Sequence, residues 1–433
     1  MGRGLLILVS GFVLIVGLVQ KSILDSLEYL PERTTEYHQE MTAQNISSSF
    51  MEYAITELDN DQDWDNGFSS NDYMGAEVDL YVFDYDDFTS GLPPIAQNNS
   101  IQNWDEYTIL LVSRTKTEHA IAITEAGITK DAFSRYTYFT DEEPNSIRFY
   151  DADVFDGPVH TNDTMRIAGN PTFRGEVTSP YQWIGDDQNS HPKLLDDHNF
   201  HAKKREMPSE KNLDHLKNKG LTNGLRFDNQ EVWVEFKNDG TVDIKTRNTG
   251  SSLGDEENWS SPQNYDLQNT NGVISSSEKV FTKGTVKGQA TLHSEKNVEI
   301  MGDIYYNTDP SQDSTSTDLL GIVSEEEVIV DYGAETDHGT KDLEINASIM
   351  ALGKSFKVEG HDYGSPKGTL KLNGGIQQIM RGPVGMFNQY GISSGFSKEY
   401  SYDDRLARLI PPFYPRESVY SKLYWRERPL EYL

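Results

Sequence analysis

The stretch that decides the fold is MGRGLLILVSGFVLIVGLVQKSILDSLEYL, residues 1–30. It holds 17 residues without a charge, from Gly4 to Gln20, between Arg3 and Lys21. As a helix rising about 1.5 Å per residue, this run is roughly 25 Å long, which suffices for most of a hydrocarbon core. No small-residue cleavage pattern follows it, and apolar residues continue at helical spacing. The stretch therefore predicts a retained membrane helix rather than a removable signal peptide.

The helical pattern continues beyond the apolar run to about Leu58. Residues 1–58 are therefore predicted to form one long N-terminal helix, hydrophobic at first and amphipathic later. Pro31 lies inside it and is expected to kink the helix or split it in two. A plain membrane anchor with a stalk is the simpler alternative, because hydropathy identifies a span but not its assembly partners.

Composition excludes several classes of function. The chain has 433 residues and a net charge of −31, so it lacks the basic footprint that nucleic acid requires, and we expect no nucleic-acid partner. It has 0 cysteines, which excludes disulfides, thiol catalysis and cysteine-ligated metals. The 34 glycines and 23 tyrosines favour a turn-rich β protein after the helix.

Residues 59–146 are predicted to form a small β module packed on the second half of the helix. An acidic loop comes first, and the β-rich runs 76–88 and 107–127 follow it. The second run indicates strand, turn and strand, with β-branched alternation on both sides. The predicted fold class is therefore α+β, with a long N-terminal hydrophobic helix, a small antiparallel sheet and then a large, mainly β domain.

Residues 147–395 contain a repeated unit of an apolar, a polar and an apolar residue, any residue, and then Gly or Ala. The copies are Met165–Gly169, Val298–Gly302, Leu343–Ala347, Phe356–Gly360 and Leu370–Gly374. Alternation predicts short strands with one buried face, and the small residue permits a corner. Short strands with tight corners favour stacked coils, and we expect a parallel β-solenoid. A β-sandwich with glycine turns is the alternative.

Two segments depart from this repeat. An insertion at about 179–271 carries a predicted short helix, 209–219, and a predicted hairpin whose turn is Asn238-Asp239-Gly240. The segment 396–433 is rich in aromatic residues and has nearly balanced charge. Because such a strip buries little by itself, it is expected to lie on its own chain or against another subunit.

The apolar helix after Arg3-Gly4, continued by an amphipathic helix and a β module, resembles type IV pilin-like proteins, and minor pilins most of all. The resemblance implies a processing site at Gly4-Leu5, although the glutamate usual at the fifth mature position is Val9 here. It also implies a helix that packs in a filament core. The predicted assembly residues are Leu5, Leu6, Ile7, Leu8, Val9, Phe12, Val13, Leu14, Ile15, Val16, Leu18 and Val19.

The segments 157–179, 381–388 and 400–412 are similar to an uncharacterised bacterial envelope family. Its members pair a pilin-like N-terminus with a repetitive β domain. That resemblance implies a structural role for the tight turns and buried apolar pairs, and it implies no known activity.

One acidic stretch has the spacing of a calcium-binding loop. Asp61, Asp63 and Asp65 alternate, Gly67 follows, and Asp72 stands at the twelfth position from Asp61. Calcium takes six to eight oxygen ligands, which such a loop can supply. The glycine falls one position later than usual, and a solvated acidic loop is the alternative. Calcium is accordingly the only cofactor considered.

Catalytic motifs are missing from the sequence. It has no nucleophile elbow, phosphate-binding loop or H-E-x-x-H pattern. The H-x-x-H at His198 and His201 is a weak metal pattern, and the pair Asp151 and Asp153 does not fix a carboxylate separation. The expectation is a non-enzyme.

These observations lead to one main hypothesis. The protein is expected to be a structural subunit of a bacterial pilus-like filament, inserted in the inner membrane and then exposed on the cell surface. Its expected partners are further copies of itself or other pilin-like subunits. The alternatives are a membrane-anchored adhesin and a glycan-active β-helix enzyme.

Overall fold

The computed structural model describes residues 2–28, 30–61, 64–151, 153–208, 210–249, 258–336, 341–388 and 391–429. Side chains are described in the same ranges except at 2–7, 26–28, 30–32, 210–212 and 387–388. Within these ranges the helices are α1 (Gly2–Glu28), α2 (Leu30–Asn60), α3 (Tyr85–Ser90) and α4 (Glu210–Leu221).

The rest of the described chain is mainly β. Its strands are β1 (Phe68–Tyr73), β2 (Ala76–Phe83), β3 (Thr108–Lys116), β4 (Ile121–Ala132), β5 (Tyr138–Glu142), β6 (Phe149–Tyr150), β7 (Val154–Phe155), β8 (Val159–Thr161), β9 (Arg166–Ala168), β10 (Thr172–Phe173), β11 (Val177–Thr178), β12 (Ile184–Gly185), β13 (Lys193–Leu194), β14 (His198–Asn199), β15 (Leu225–Phe227), β16 (Gln230–Phe236), β17 (Thr241–Asn248), β18 (Gln263–Asp266), β19 (Val273–Ser276), β20 (Val280–Val286), β21 (Gln289–Ser294), β22 (Val298–Tyr306), β23 (Leu319–Ser324), β24 (Val328–Glu335), β25 (Leu343–Ala351), β26 (Phe356–Val358), β27 (Pro366–Met380), β28 (Gly385–Asn388), β29 (Gly391–Ser401) and β30 (Arg416–Glu427).

The chain forms two compact units. Unit 1 comprises residues 1–130 and 419–433, and unit 2 comprises residues 131–418. This grouping differs from the boundaries expected from sequence. The segment 131–146 belongs to unit 2, and the aromatic C-terminal segment is shared between the two units. Local composition does not reveal that the last strand returns to the first sheet. The expected four-part division stays a prediction.

The long N-terminal helix is divided into α1 and α2. The second helix begins at Leu30, so that Pro31 stands in its first turn. There the missing N–H of proline removes no helical hydrogen bond, whereas inside a continuous helix it would. The break therefore falls where the sequence predicts a kink or a split.

Unit 1 is built on a five-stranded sheet in the order β1-β2-β3-β4-β30. The pairings of β1 with β2, β2 with β3, and β3 with β4 are antiparallel. Residues at helical spacing on α2 cover one face of this sheet. The shared core comprises Met51, Ala54, Ile55, Leu58, Leu80, Ile109, Leu111, Ala126 and Ile128. The predicted small antiparallel sheet next to the helix is thus present.

Unit 2 is mostly β and has long ladders of parallel strands. One ladder runs β15-β19-β21-β23-β25-β27-β5-β8-β11-β14, and a second runs β16-β20-β22-β24-β26. Antiparallel pairs also occur, between β16 and β17, β17 and β18, and β28 and β29. The sheets are therefore mixed. The large β domain is confirmed, and its description as a parallel solenoid is taken up below as a proposal.

The repeated sequence units lie in β9, β22, β25, β26 and β27. Two of the copies are neighbours in register, with Leu343 opposite Leu370 and Ile345 opposite Leu372. All four side chains are buried, as alternation predicts. The strands β25 and β27 continue past the small residue of the repeat, so they are longer than the expected five-residue units.

The predicted features of the insertion are also found. The hairpin of β16 and β17 flanks the predicted turn, and Gly240 has a φ of 95°. The helix predicted at 209–219 is α4, although it extends through Gly220 to Leu221. A Cβ on Gly220 would lie 2.9 Å from the Cβ of Ser275 in β19. Glycine at this position therefore permits close packing of helix and strand instead of ending the helix.

Candidate functional site: an exposed apolar helix

The outstanding functional feature is the apolar surface of α1. Nine of the predicted assembly residues have described side chains, and they are between 37% and 72% exposed: Leu8, Val9, Phe12, Val13, Leu14, Ile15, Val16, Leu18 and Val19. Water-exposed apolar surface on this scale is rare in soluble proteins and marks a membrane or protein contact. The sequence-predicted residues thus form one uninterrupted helical surface.

By length and composition, α1 can cross a membrane. The segment Leu8–Asp25 has 18 residues and a mean hydropathy of 1.7, and none of it is buried against the rest of the chain. Leu5, Leu6 and Ile7 also belong to α1, but their side chains lie outside those described. The predicted processing site at Gly4-Leu5 is in the same helix and stays a prediction.

The exposure changes along α2. Its first turns with described side chains are largely exposed, whereas Ala43, Ile46 and Met51 are buried under the sheet. A buried hydrogen bond reinforces this packing, since Ser47 Oγ donates to the carbonyl oxygen of Ser113 at 3.0 Å. The N-terminal helical segment therefore has an uncovered apolar part and a part fixed to a folded sheet.

A buried carboxylate holds the last strand in that sheet. Glu125 on β4 is fully buried, and the hydroxyl of Tyr424 on β30 donates to its Oε1 at 2.5 Å. Arg426 Nη2 lies 3.0 Å from the same oxygen, and Arg428 Nη1 lies 3.2 Å from Oε2. The guanidinium of Arg428 also donates to the carbonyl oxygen of Gln97 at 2.9 Å. The sequence analysis did not identify this cluster, because its members are about 300 positions apart.

The structure only partly places the predicted calcium residues. Asp61 directly follows α2, Asp65 precedes β1, and Asp72 lies within β1 opposite Glu77. Asp63 lies outside the described residues. Among the described residues, no three His, Asp or Glu side chains form a group able to hold a metal ion. Calcium binding by the loop stays a prediction.

The weaker catalytic candidates do not converge. His198 and His201 lie in and just after β14, where His198 packs against Phe200 with ring centroids 5.6 Å apart. Asp151 is exposed, whereas Asp153 is engaged in an ion pair with Lys398 at 3.0 Å. The sequence pair of carboxylates therefore does not face one common site.

Asp153 belongs to a largely buried charged group in unit 2 that sequence spacing does not indicate. Arg381 Nη2 lies 3.5 Å from its Oδ2, and the Arg381 guanidinium lies over the Phe149 ring, 4.2 Å from the centroid. Burial would raise the pKa of Asp153, but the charges of Lys398 and Arg381 prevail and lower it. Burial also lowers the pKa of Lys398. This group joins distant strands inside the unit.

A Ser-His-Glu line was also missed by the sequence analysis. Ser275 Oγ lies 2.8 Å from Nδ1 of His293, and His293 Nε2 lies 3.1 Å from Oε1 of Glu325. Serine and histidine are both fully buried, and Arg226 Nη1 donates to the same serine oxygen at 2.8 Å. The residues lie on successive parallel strands, so the line ties β19 to β21 and to the end of β23. A nucleophile would need access to solvent, which this serine lacks.

Comparisons with known proteins add little certainty. A family model described as a domain of unknown function (DUF4900) matches residues 112–180. No curated protein matches the chain. Among solved structures, the competence-associated pilin ComZ from Thermus thermophilus is similar over 90% of this chain and 97% of that chain, with 11% identity and a TM-score of 0.31. So low a similarity supports no conclusion about this protein's function.

Proposed function

We propose that the protein is a structural subunit of a pilus-like filament of the bacterial cell envelope. Before assembly, α1 would hold it in the inner membrane, and in the filament α1 would pack against the helices of neighbouring subunits. Unit 2 would be exposed on the extracellular surface. The observation that carries this proposal is the contrast between the uncovered apolar surface of α1 and the sheet-covered half of α2.

A physical argument connects that contrast with assembly. The apolar surface of α1 is stable only in hydrocarbon or against other apolar surfaces. A helix fixed at one end to a folded unit can exchange the first environment for the second without unfolding. Gly11 and Gly17 have open space around their Cα atoms, which would allow close helix approach. Other pilin-like proteins and further copies of this chain are both suitable partners.

We also propose that unit 2 is a stack of parallel coils, that is, a β-solenoid. Strands pair with strands that come one coil later, as for Val159 with Val177 and for Val298 with Val328. The long parallel ladders and the matching register of the repeats support this arrangement. The antiparallel strands β17 and β28 would then lie outside the repeating part of the stack.

The main test compares two substitutions at one position of α1. Leu14→Asp places a charge near the middle of the span, which disfavours membrane insertion by about 2.5–3.5 kcal/mol, whereas Leu14→Ile keeps the apolar surface. We expect the aspartate variant to be lost from sheared surface filaments and the isoleucine variant to remain. If the unmodified protein is absent from sheared filaments and stays in the membrane fraction, the filament proposal is wrong and an anchored adhesin is favoured.

Cross-linking then identifies the partner. Because the chain has 0 cysteines, Val13→Cys introduces a single thiol without background reactions. Disulfide-linked dimers of this chain would show that copies pack helix against helix. A cross-link to a different protein would identify a mixed filament. Glu118→Cys, at an exposed position outside the helix, controls for random collision in the membrane.

A further inference from the structure

Unit 2 presents a pair of stacked tyrosines to solvent. Tyr332 lies on β24 and Tyr363 in the turn after β26, with ring centroids 4.9 Å apart and an interplanar angle of 16°. Their side chains are 40% and 55% exposed. Lys367 Nζ lies over the Tyr332 ring, 3.9 Å from its centroid. One face of the Tyr363 ring is thus covered by Tyr332, and the other is available to a ligand.

The backbone is adapted to this pair. Gly360 has a φ of +62°, and a Cβ there would lie 2.5 Å from Cε1 of Tyr363 and 2.7 Å from Cδ2 of Tyr332. Gly364 has a φ of +83°, and its Cβ would lie 3.0 Å from the Tyr332 hydroxyl. Any side chain at Gly360 would displace the rings, and its φ is also unfavourable for other residues. The stacked arrangement is therefore defined by the turn and does not result from chance contact of two mobile side chains.

Polar groups surround the rings. Glu359 accepts a hydrogen bond from the backbone N–H of Tyr332 at 3.3 Å, and Asp362 is exposed next to Tyr363. The pKa of Tyr363 is raised by partial burial, by Tyr332 and by these two carboxylates, which shows that they act directly on the ring hydroxyl. No described residue forms a hydrogen bond with either tyrosine hydroxyl. Two hydroxyls and several carboxylate oxygens are therefore available to a ligand.

We infer that the Tyr332–Tyr363 pair is a binding site for a neutral saccharide. A sugar ring has one face made mainly of C–H bonds, which packs well on an exposed aromatic face, while its hydroxyl groups can donate to the surrounding carboxylates. Carboxylates outnumber the single lysine around the rings, so an anionic saccharide would be repelled. This inference does not depend on filament assembly, because a filament subunit and an anchored monomer would expose the same site.

Binding can be measured on the full chain by saturation-transfer NMR and calorimetry. The protein should be held in a polyoxyethylene detergent, because glucoside and maltoside head groups would themselves compete for the site. The probes are maltohexaose, cellohexaose and chitohexaose, with sialyllactose and choline as charged comparators. We expect at least one neutral oligosaccharide to bind, and Tyr363→Ala to weaken it about tenfold or more.

Two further variants make the test specific. Tyr150→Ala removes another tyrosine of unit 2, 59% exposed, and should leave binding unchanged. Gly360→Ala keeps both tyrosines but displaces their rings, and it should reduce binding as Tyr363→Ala does. The inference is overturned if no neutral oligosaccharide binds, if Tyr363→Ala and Tyr150→Ala behave alike, or if choline is the ligand that Tyr363→Ala loses. Each of these outcomes leaves the filament proposal untouched.

Discussion

At the scale of single residues, unit 1 depends on a charge that is completely removed from water. Glu125 is stable there because two arginines and a tyrosine hydroxyl surround it. Breaking a buried ion pair costs far more than forming it gains, since the remaining charges stay buried without a partner. The attachment of β30 to the sheet is thus sensitive to one carboxylate.

We expect Glu125→Gln to destabilise unit 1 by about 3–5 kcal/mol, because Arg428 would keep a buried charge without its counter-ion. Limited proteolysis should then release residues 419–429 sooner than in the unmodified protein. Glu118→Gln is the control, since the Glu118 side chain is 81% exposed. Equal proteolysis of the two variants would show that Glu125 does not anchor the strand.

Buried His160 gives unit 2 a dependence on pH. Burial and the charge of Arg205 lower the pKa of His160 to about 4, against the opposing effects of Asn162 and Asp141. The unfolded state has a pKa of about 6.5, so it binds a proton more readily between these values. The stabilisation is therefore complete above about pH 6.5 and is lost as the pH falls toward 4, by roughly 3 kcal/mol.

We expect His160→Gln to reduce the loss of thermal stability between pH 6.5 and 4. His293, whose pKa burial also lowers, has the same sign and leaves part of the effect in place. Exposed His119 provides the control, because His119→Gln should follow the unmodified protein at each pH. A variant at position 160 with an unchanged pH profile would contradict the assignment.

At the scale of elements, glycines control how closely strands approach. Gly374 on β27 has a φ of +147°, and a Cβ there would lie 2.0 Å from the carbonyl oxygen of Ala347 on β25. Gly288 has a φ of +94°, and nothing lies within 4 Å of its Cβ position. The two positions separate steric conflict from backbone strain.

We expect Gly374→Ala to destabilise unit 2 by more than Gly288→Ala does. The second variant bears only the strain of a left-handed residue, about 1–3 kcal/mol, whereas the first must also separate two paired strands. Denaturant unfolding of both variants measures the difference. Equal losses would mean that β25 can move away from β27 without cost.

The elements also show how far sequence reasoning reaches. Local patterns predicted the apolar helix, its break near Pro31, the hairpin around Gly240 and the alternating repeat strands, because periodicity and turn chemistry act between near neighbours. The mixed pairing of the sheets, the Glu125 cluster and the Tyr332–Tyr363 stack could not be predicted. Their partners meet only after folding, and no spacing along the chain encodes them.

At the scale of the whole molecule, unit 2 is inserted between β4 and β30 of unit 1. The segments that enter and leave it run side by side, since the N–H of Phe133 donates to the carbonyl oxygen of Pro415 at 3.1 Å. Its two hydrophobic clusters consist of residues from 133 to 414. An insertion with adjacent ends and its own core can fold by itself.

We therefore expect residues 131–418, expressed alone, to form a soluble folded monomer with a cooperative unfolding transition. Size-exclusion chromatography, circular dichroism and calorimetry provide the measurement. The same segment carrying Leu372→Asp, a charge in the buried core, should be unfolded and serves as the comparison. Aggregation of the unmodified segment would show that unit 1 is required for its folding.

The insertion has a mechanical consequence. A load applied to unit 2 reaches the anchored helix through two covalent connections, at residues 130–131 and 418–419, instead of one. Each connection leads into a strand of the same sheet, and Glu125 links those strands at their side chains. Tension would thus be shared between two parallel tethers, so that proteolytic cleavage of one would not release the outer unit from the cell.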